Sequence, residues 1–488
     1  MFNFWINSIE ITNSIYIPKY YDKQLSSKIN STKNNYVFNT IRELCDKNII
    51  KYETGHEIGK AAYGTGDIPF VRTSDISNWE LKSFPKQGIS QEIYESYKES
   101  QDVQVDDILF VRDGTYLIGN NCYITEIDKE ILYQSHIIKI RVLNKELLEP
   151  HILFLALNNE NIQKQIRSFQ FTADIIDTIG QRFNDVVIPM PNDRDKILEF
   201  ASRCDNALKK RMVGKAFIKH CPKIMEEIFQ KGSIEPLAHF ESLSSDEIVS
   251  ILKNETITSE FGSFTSFWQA SAKIKSKIYL PMYYDINIAK ELESISKYCN
   301  LVTIGQLKAE DRVDFQTGDE IGKMAYGTGD ISFLRTSDFA NWEIKHNPKQ
   351  GVSQSIYEQY SPSQDIKEND ILLVRDGTYL VGSTAIITQY DVKSLYCGGI
   401  FKFRVKHDIL NPFLFLALMN SYIVKRQMRT KQFTRDVIDT LGNRIEEVIL
   451  PIPKDPLICE TISNSVRRII QSRIHGREEI SILSNLIF

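Results

Sequence analysis

A chain of 488 residues exceeds what one hydrophobic core holds, so roughly two to four domains are expected. With 42% hydrophobic and 25% charged residues, 22 Tyr and 26 Phe, the composition excludes a disordered chain, and no apolar run approaches the roughly 20 residues that cross a bilayer. A net charge of -4 neither demands nor forbids a polyanionic partner, because a basic patch acts locally.

In chain order, "MFNFWINSIEITNS" lacks the basic start and clean apolar stretch of a secretory signal. The passages "DILFVR", "NCYITEI" and "IIKIRV" are short, rich in β-branched and aromatic residues, and parted by Gly, Asn and Asp, so they predict strands. After "VIPMP" the period changes. Phe200, Cys204, Ala207, Leu208 and Met212 fall at helical spacing and predict an amphipathic helix of about 20 residues. All seven cysteines are scattered, and none pairs at the C-x-x-C spacing of a zinc or redox site, which fits reduced thiols in a cytoplasm.

The same elements then recur. "YGTGDIPFVRTSDISNWE" from Tyr63 returns as "YGTGDISFLRTSDFANWE" from Tyr326, "TGHEIGK" from Thr54 as "TGDEIGK" from Thr317, and "ILFVRDGTYLIG" from Ile108 as "ILLVRDGTYLVG" from Ile371, each 263 positions on. Past residue 142 the offset becomes 262, and the helical stripe returns as Ile462, Val466, Ile469, Ile470 and Ile474. The chain is a tandem duplication of one α+β unit, mixed and β-rich, with a connector between the copies. Two like apolar stripes most simply bury each other, and an antiparallel pairing would relate the copies by a twofold axis.

Catalytic chemistry finds no residues. "GHEIGKA" from Gly55 lacks both the spacing and the hydroxyl of a phosphate loop. The acidic pair Asp106-Asp107 becomes Asn369-Asp370, and His56 and His136 become Asp319 and Gly399, so neither a carboxylate pair nor a histidine base is kept in both copies. Neither a glycine-rich cofactor loop nor an Asn-Pro-Pro-aromatic tetrad is present, which speaks against an adenine methyltransferase. No metal or cofactor is implied.

Binding has better candidates. Arg72, Thr73 and Ser74 with Asp75, and Arg335, Thr336 and Ser337 with Asp338, bring an arginine fork, small hydroxyls and an acidic orienter to strand ends. So do Arg112, Thr115 and Tyr116, and Arg375, Thr378 and Tyr379. "KQIRSFQF" supplies Lys164 and Arg167, and "KRQMRTKQFTR" supplies Lys425, Arg429, Lys431 and Arg435, as basic segments. By alternation, Lys139 with Arg141 and Lys402 with Arg404 share one side of a sheet. The copies differ most at "YQSHI" from Tyr133 against "YCGGI" from Tyr396, where Gln134, Ser135 and His136 face Cys397, Gly398 and Gly399.

The order of "GDIPFVRTSDI", "DDILFVRDGT", "LEPHILFLAL" and "IPMP", each set followed by a long helix and then repeated, resembles the DNA-specificity subunits of type I restriction-modification systems. The resemblance implies target recognition domains at 1–192 and 264–454, a central spacer helix region at 193–232, a connector at 233–263 and a distal spacer helix at 455–488. The two helices would pair as an antiparallel coiled-coil spacer, with Phe200, Cys204, Leu208, Met212, Ile462, Val466, Ile470 and Ile474 as its core. It also implies a noncatalytic subunit that binds double-stranded DNA and two methyltransferase subunits, with a motor-nuclease subunit able to join. Carried over by position, the DNA face would hold the arginines and hydroxyls above together with Lys60, Tyr63, Thr65, Gln134, His136 and Arg182 in one copy. The other copy would offer Lys323, Tyr326, Thr328 and Arg444. Because the two copies agree at most loop positions, the expected target is two similar, inverted half-sites. The competing expectation is a scaffold that holds two identical proteins without reading DNA.

Overall fold

The computed structural model describes residues 35–114, 116–173, 176–254, 280–377, 379–406, 410–435 and 438–488, together with 8–11, 18–21, 27, 31, 274 and 278. It divides into two compact units, the first formed by residues 1–212 and 475–488 and the second by residues 213–474.

In the first unit, β1 (Tyr36–Thr40) leads into α1 (Ile41–Asp46), whose N-cap Thr40 and Glu43 form a reciprocal capping box. Next come β2 (Ile50–Thr54), β3 (Ile68–Val71), the hairpin β4 (Ile76–Ser77) and β5 (Glu80–Leu81), then β6 (Gly88–Ile89) and α2 (Gln91–Gln101). The strands β7 (Ile108–Val111), β8 (Asn121–Tyr123), β9 (Leu132–Tyr133) and β10 (Ile137–Val142) precede α3 (Pro150–Asn158) and α4 (Glu160–Phe169). The hairpin β11 (Phe171–Ala173) and β12 (Ile176–Thr178), then β13 (Val187–Pro191), lead to α5 (Arg194–Lys231).

An antiparallel four-stranded sheet in the order β2-β10-β7-β8 is the frame. Beside it lie a three-stranded sheet, β6-β3-β9, in which β3 and β9 run parallel, and the β1-β13 pair. Strands β7 and β10 are buried along nearly their whole length, because Ile108, Phe110, Ile138 and Ile140 share a core with the apolar helix α3 while Leu109, Val111 and Ile137 pack in a second core with Val71, Ile76 and Leu81.

Unit 2 repeats this plan. After α6 (Glu235–Ser242), α7 (Ser245–Asn254) and α8 (Ile286–Ile295) come β14 (Cys299–Thr303), α9 (Ile304–Ala309), β15 (Val313–Thr317), β16 (Ile331–Leu334), β17 (Phe339–Ala340), β18 (Glu343–Ile344), β19 (Gln350–Val352) and α10 (Gln354–Gln364). Then follow β20 (Ile371–Val374), β21 (Thr384–Ile386), β22 (Ser394–Tyr396), β23 (Ile400–Val405), α11 (Pro412–Asn420), α12 (Tyr422–Thr430), β24 (Phe433–Arg435), β25 (Ile438–Thr440), β26 (Ile449–Pro453) and α13 (Pro456–Leu486). Its sheets, β15-β23-β20-β21 and β19-β16-β22, match those of unit 1 strand for strand.

The two terminal helices are longer than the expected 20 residues, at 38 for α5 and 31 for α13. Helix α5 runs through both Gly214 and Pro222. Each unit contains a stretch of both helices, paired antiparallel. In unit 1, Arg203 Nε meets Glu479 Oε1 at 2.7 Å, while Cys204, Ala207 and Leu208 share a core with Ile480, Leu483 and Ile487. In unit 2, Gly214 lies against Arg473. Of the expected stripe, Phe200, Cys204, Leu208, Met212, Ile462, Val466 and Ile470 are buried, and Ile474 stays partly exposed.

Candidate nucleic-acid interface

The two arginine turns of each unit are brought together by the loop after β9. Gln134 N donates to Val71 O at 3.0 Å and Arg112 N donates to His136 O at 2.9 Å, so Arg72, Gln134, His136 and Arg112 converge. In unit 2, Cys397 N to Leu334 O (3.0 Å) and Arg375 N to Gly399 O (2.9 Å) gather Arg335, Gly399 and Arg375 in the same way. The hairpin β11-β12 closes the cluster, since Gly114 N donates to Asp177 O and Ile179 N to Arg112 O.

Within the first turn, Asp75 does not pair with the arginine fork. Its Oδ2 accepts the Arg72 backbone N–H at 3.0 Å, which fixes the 3₁₀ turn Thr73–Asp75, and Asp338 caps Arg335 identically at 2.8 Å. Burial pushes the Asp75 carboxyl up despite the opposing pull of Lys82 and the Arg72 backbone. The side chain of Arg72 therefore points outward, with Nε 3.5 Å from Gln134 Oε1, and Arg335 extends over the Tyr326 ring at 5.6 Å.

In the second turn, Arg112 Nε and Nη2 grip Asp113 at 3.1 and 2.7 Å. Asp113 also accepts from the Thr178 hydroxyl and meets His136 Nδ1 at 2.9 Å. Burial would raise this carboxyl, but Arg112, Thr178 and His136 outweigh it and hold Asp113 below the usual carboxylate range. Asp376 has the matching Arg375 fork at 3.0 and 2.8 Å, with Gly399 where the imidazole would stand. Beside Arg112 lies a cavity of about 300 Å³ walled by Tyr52, Thr54 and Phe183.

Of the other candidates, Lys60, Tyr116, Arg167, Lys323, Tyr379 and Arg429 are exposed, and Thr73, Ser74, Thr336 and Ser337 are half-buried at the turns. Lys164 is exposed and pairs with Glu160 at 2.5 Å. Thr115, Thr378 and the side chain of Arg435 lie outside the described residues.

Several further candidates have side chains engaged within their own unit. Thr65 and Thr328 tie their own turns, donating to Ala62 O and Ala325 O and accepting from Ser90 N and Ser353 N. Tyr63 and Tyr326 pack on Phe70 and Phe333. Gln134 is covered and acts on Arg72. Arg182 donates to Phe169 O and stacks on Phe171, and Arg444 donates to Lys431 O and Thr440 O over Phe433, so both hold the β-hairpin that follows α4 or α12. Lys425 turns inward beside Cys221, where burial pushes its ammonium down to about 8, and Lys431 lies over Tyr283.

The shared face expected for Lys139 and Arg141 is real, but it faces inward. Lys139, 1% exposed, binds the carbonyls of Gln101 and Asp102 at the left-handed C-cap of α2. Arg141 grips buried Asp107 at 2.6 and 2.7 Å. Lys402 and Arg404 repeat both arrangements with α10 and Asp370.

Among the described residues three buried arginines, Arg211, Arg473 and Arg477, escaped the sequence reading. Arg211 pairs with Glu80 and Arg473 with Glu343, each at 3.1 Å. Their signal was present, since "RMVGK" from Arg211 and "RIHGR" from Arg473 repeat at the 262 offset inside an apolar stripe. Among the described residues no group of His, Cys, Asp and Glu is placed to hold a metal ion, and no helix is long and apolar enough to cross a membrane.

The family model described as the type I restriction modification DNA specificity domain matches residues 28–213. No curated protein matches the chain. Among solved structures, a type I restriction-modification S subunit from M. genitalium is 11% identical with a TM-score of 0.34, over 93% of this chain and 94% of that one. An HsdS subunit from Thermoanaerobacter tengcongensis is 15% identical with a TM-score of 0.27, over 93% and 95%. A chain from a study of assembly and conformational transition in the type I R-M system is 14% identical with a TM-score of 0.25, over 93% and 96%. Residues 28–213 thus match the type I restriction modification DNA specificity domain, and the second half of the chain repeats much of that stretch in sequence.

Proposed function

We propose that the chain is the noncatalytic DNA-reading subunit of a type I system and recognises two similar, inverted half-sites of a bipartite target. Each unit reads one half-site, and the antiparallel helices act as the coiled-coil spacer between readings. Two copies of an adenine methyltransferase subunit dock on this frame in the cytoplasm. A motor-nuclease subunit joins when the complex restricts foreign DNA.

The observation that carries this reading is the convergence of Arg72 with Arg112, repeated as Arg335 with Arg375, at turns fixed by backbone hydrogen bonds. Paired arginine forks at rigid strand ends suit base edges and phosphates. With a net charge of -4 the subunit by itself binds DNA modestly, and the methyltransferase adds phosphate contacts.

The test is a gel shift of the Arg72→Ala, Arg335→Ala double variant assembled with its methyltransferase. Sequence-specific binding should vanish while the methyltransferase stays bound. A variant that keeps its DNA preference and loses the partner would instead favour a protein scaffold.

A further inference from the structure

The longest of these repeated passages does not end at its arginine. Eight residues beyond Arg72 stands Glu80, and eight beyond Arg335 stands Glu343. The link between them is stiff. Lys82 N donates to Asp75 O at 2.9 Å, Lys345 N to Asp338 O at 2.9 Å, and each hairpin turns through Asn-Trp with both residues in the left-handed region. Asn78 and Trp79 have φ of 50° and 65°, and Asn341 and Trp342 have 50° and 63°. A bulky side chain there is a true outlier, held by its surroundings. Trp79 Nε1 donates to Asn158 Oδ1 at 2.9 Å, and the Trp342 ring stands edge-on to Phe217 of α5 at 6.3 Å.

This turn delivers a carboxylate into the helix pair. Glu80 meets Arg211 and Glu343 meets Arg473, all four buried. The two arginines occupy the same repeat position, one on α5 and the other on α13. Each stem crosses a glycine of the opposite helix. A Cβ at Gly476 would stand 3.0 Å from Arg211 Cγ, and one at Gly214 would stand 2.5 Å from Arg473 Cγ. Those glycines are also equivalent, 262 positions apart. Turn glutamate, helix arginine and facing glycine thus recur as a set in both units.

A buried ion pair adds little net stability compared with apolar packing of the same shape, but any other arrangement strands a charge. It selects one geometry. We infer that Glu80–Arg211 and Glu343–Arg473 are orientation keys: they lock each reading turn at one angle on the helix pair of its own unit, and so set which spacing between half-sites is accepted. They are positioning residues, and the inference rests on the DNA-reading function proposed above.

The test uses the Glu343→Leu, Arg473→Met double variant, which removes both charges, in the assembled complex. The probes are duplexes carrying the motif mapped from modified adenines in host DNA, with the gap native, one base pair shorter or one longer. The wild type should prefer the native gap. The variant should fold by circular dichroism, retain its methyltransferase and bind the native duplex, while its preference over the altered gaps falls at least tenfold. Glu343→Gln, which keeps the shape and a neutral acceptor, should shift in the same direction by less. A folded variant with undiminished gap preference overturns the inference and leaves the DNA-reading function standing. A double variant that fails to fold also overturns it, because the pair would then be a stability element. A wild type with no sequence preference overturns both together.

Discussion

Gly214 lies against the stem of Arg473, such that a Cβ built on the glycine would meet Arg473 Cγ at 2.5 Å and Cδ at 2.7 Å. A glycine inside a helix ordinarily costs about 1 kcal/mol relative to alanine, so Gly→Ala is expected to stabilise. Here the sign reverses. Gly214→Ala overfills the groove and should cost about 1–3 kcal/mol net, read as a lower thermal midpoint. Gly476→Ala should cost more, because its Cβ would come 2.8 Å from the backbone oxygen of Ala207, which cannot swing aside. A raised midpoint for either variant would show that the helices part easily.

The inward-facing cations make a contrast with those at the turns. Asp107 is fully buried, and Arg141 Nε and Nη2 hold both its oxygens. The hydrogen bonds that Arg141 donates to Asp107, chiefly, push its guanidinium above the ordinary value. Arg141→Ala leaves that carboxylate enclosed without its partner, at a cost of about 3–5 kcal/mol in denaturant unfolding. Arg335→Ala, at an exposed position, should change stability by less than about 0.5 kcal/mol. If the two variants unfold alike, the division between structural and reading arginines is wrong.

That division was only half legible in sequence. The repeat offset, the strand runs and the stripe from Phe200 to Met212 follow from periodicity, which burial enforces. Alternation also placed Lys139 beside Arg141 correctly, but it does not tell which face is buried. A lysine in a strand reads as a solvent marker until a helix ends in a left-handed residue, Asp102, whose neighbouring carbonyls need a donor. Asp75 misled for a related reason. Three residues after Arg72, it suits capping of the backbone as well as pairing with the guanidinium, and the backbone bond won because the turn buries it. Arg211 and Arg473 interrupt an apolar stripe, and only the partner glutamates, 131 and 130 positions away, explain why a charge is tolerated there.

Unit 2 carries a pH dependence. Burial pushes Glu226 up to about 7 from the ordinary 4.5, Glu291 adds to the rise, and the Ile423 N–H that Glu226 accepts at 2.9 Å, with Arg426, works against it. Between those two values the folded state binds more protons than the unfolded chain. The contribution is therefore fully present below pH 4.5 and is lost as pH rises through 7, with a ceiling of about 3 kcal/mol. Glu226→Gln keeps an oxygen for Ile423 and removes the charge. Hydrogen exchange at the start of α12 should be slower in the variant at pH 8, with the difference closing toward pH 4.5. A constant difference across that range would assign the effect to packing and not to ionisation.

The loop that differs between copies predicts unequal reading of the two half-sites. His136 is partly exposed and held by Asp113, while Gln134 steadies Arg72 from beneath. Gln134→Cys, Ser135→Gly and His136→Gly together give unit 1 the loop of unit 2 and remove both contacts, leaving Arg72 and Arg112 less fixed. One well-placed bidentate contact discriminates bases by about 1–3 kcal/mol, so the triple variant should lose roughly 5- to 150-fold selectivity at one or two positions of a single half-site. The other half-site should be unaffected. The reverse graft is less free: a Cβ at Gly399 would stand 3.1 Å from Thr336 Cγ2, so a histidine there needs the Thr336 side chain, in the turn that carries Arg335, to give by a few tenths of an ångström. Base-substitution profiles of methylation by the assembled complex decide the matter, and equal loss at both half-sites would show that the loop acts on stability and not on readout.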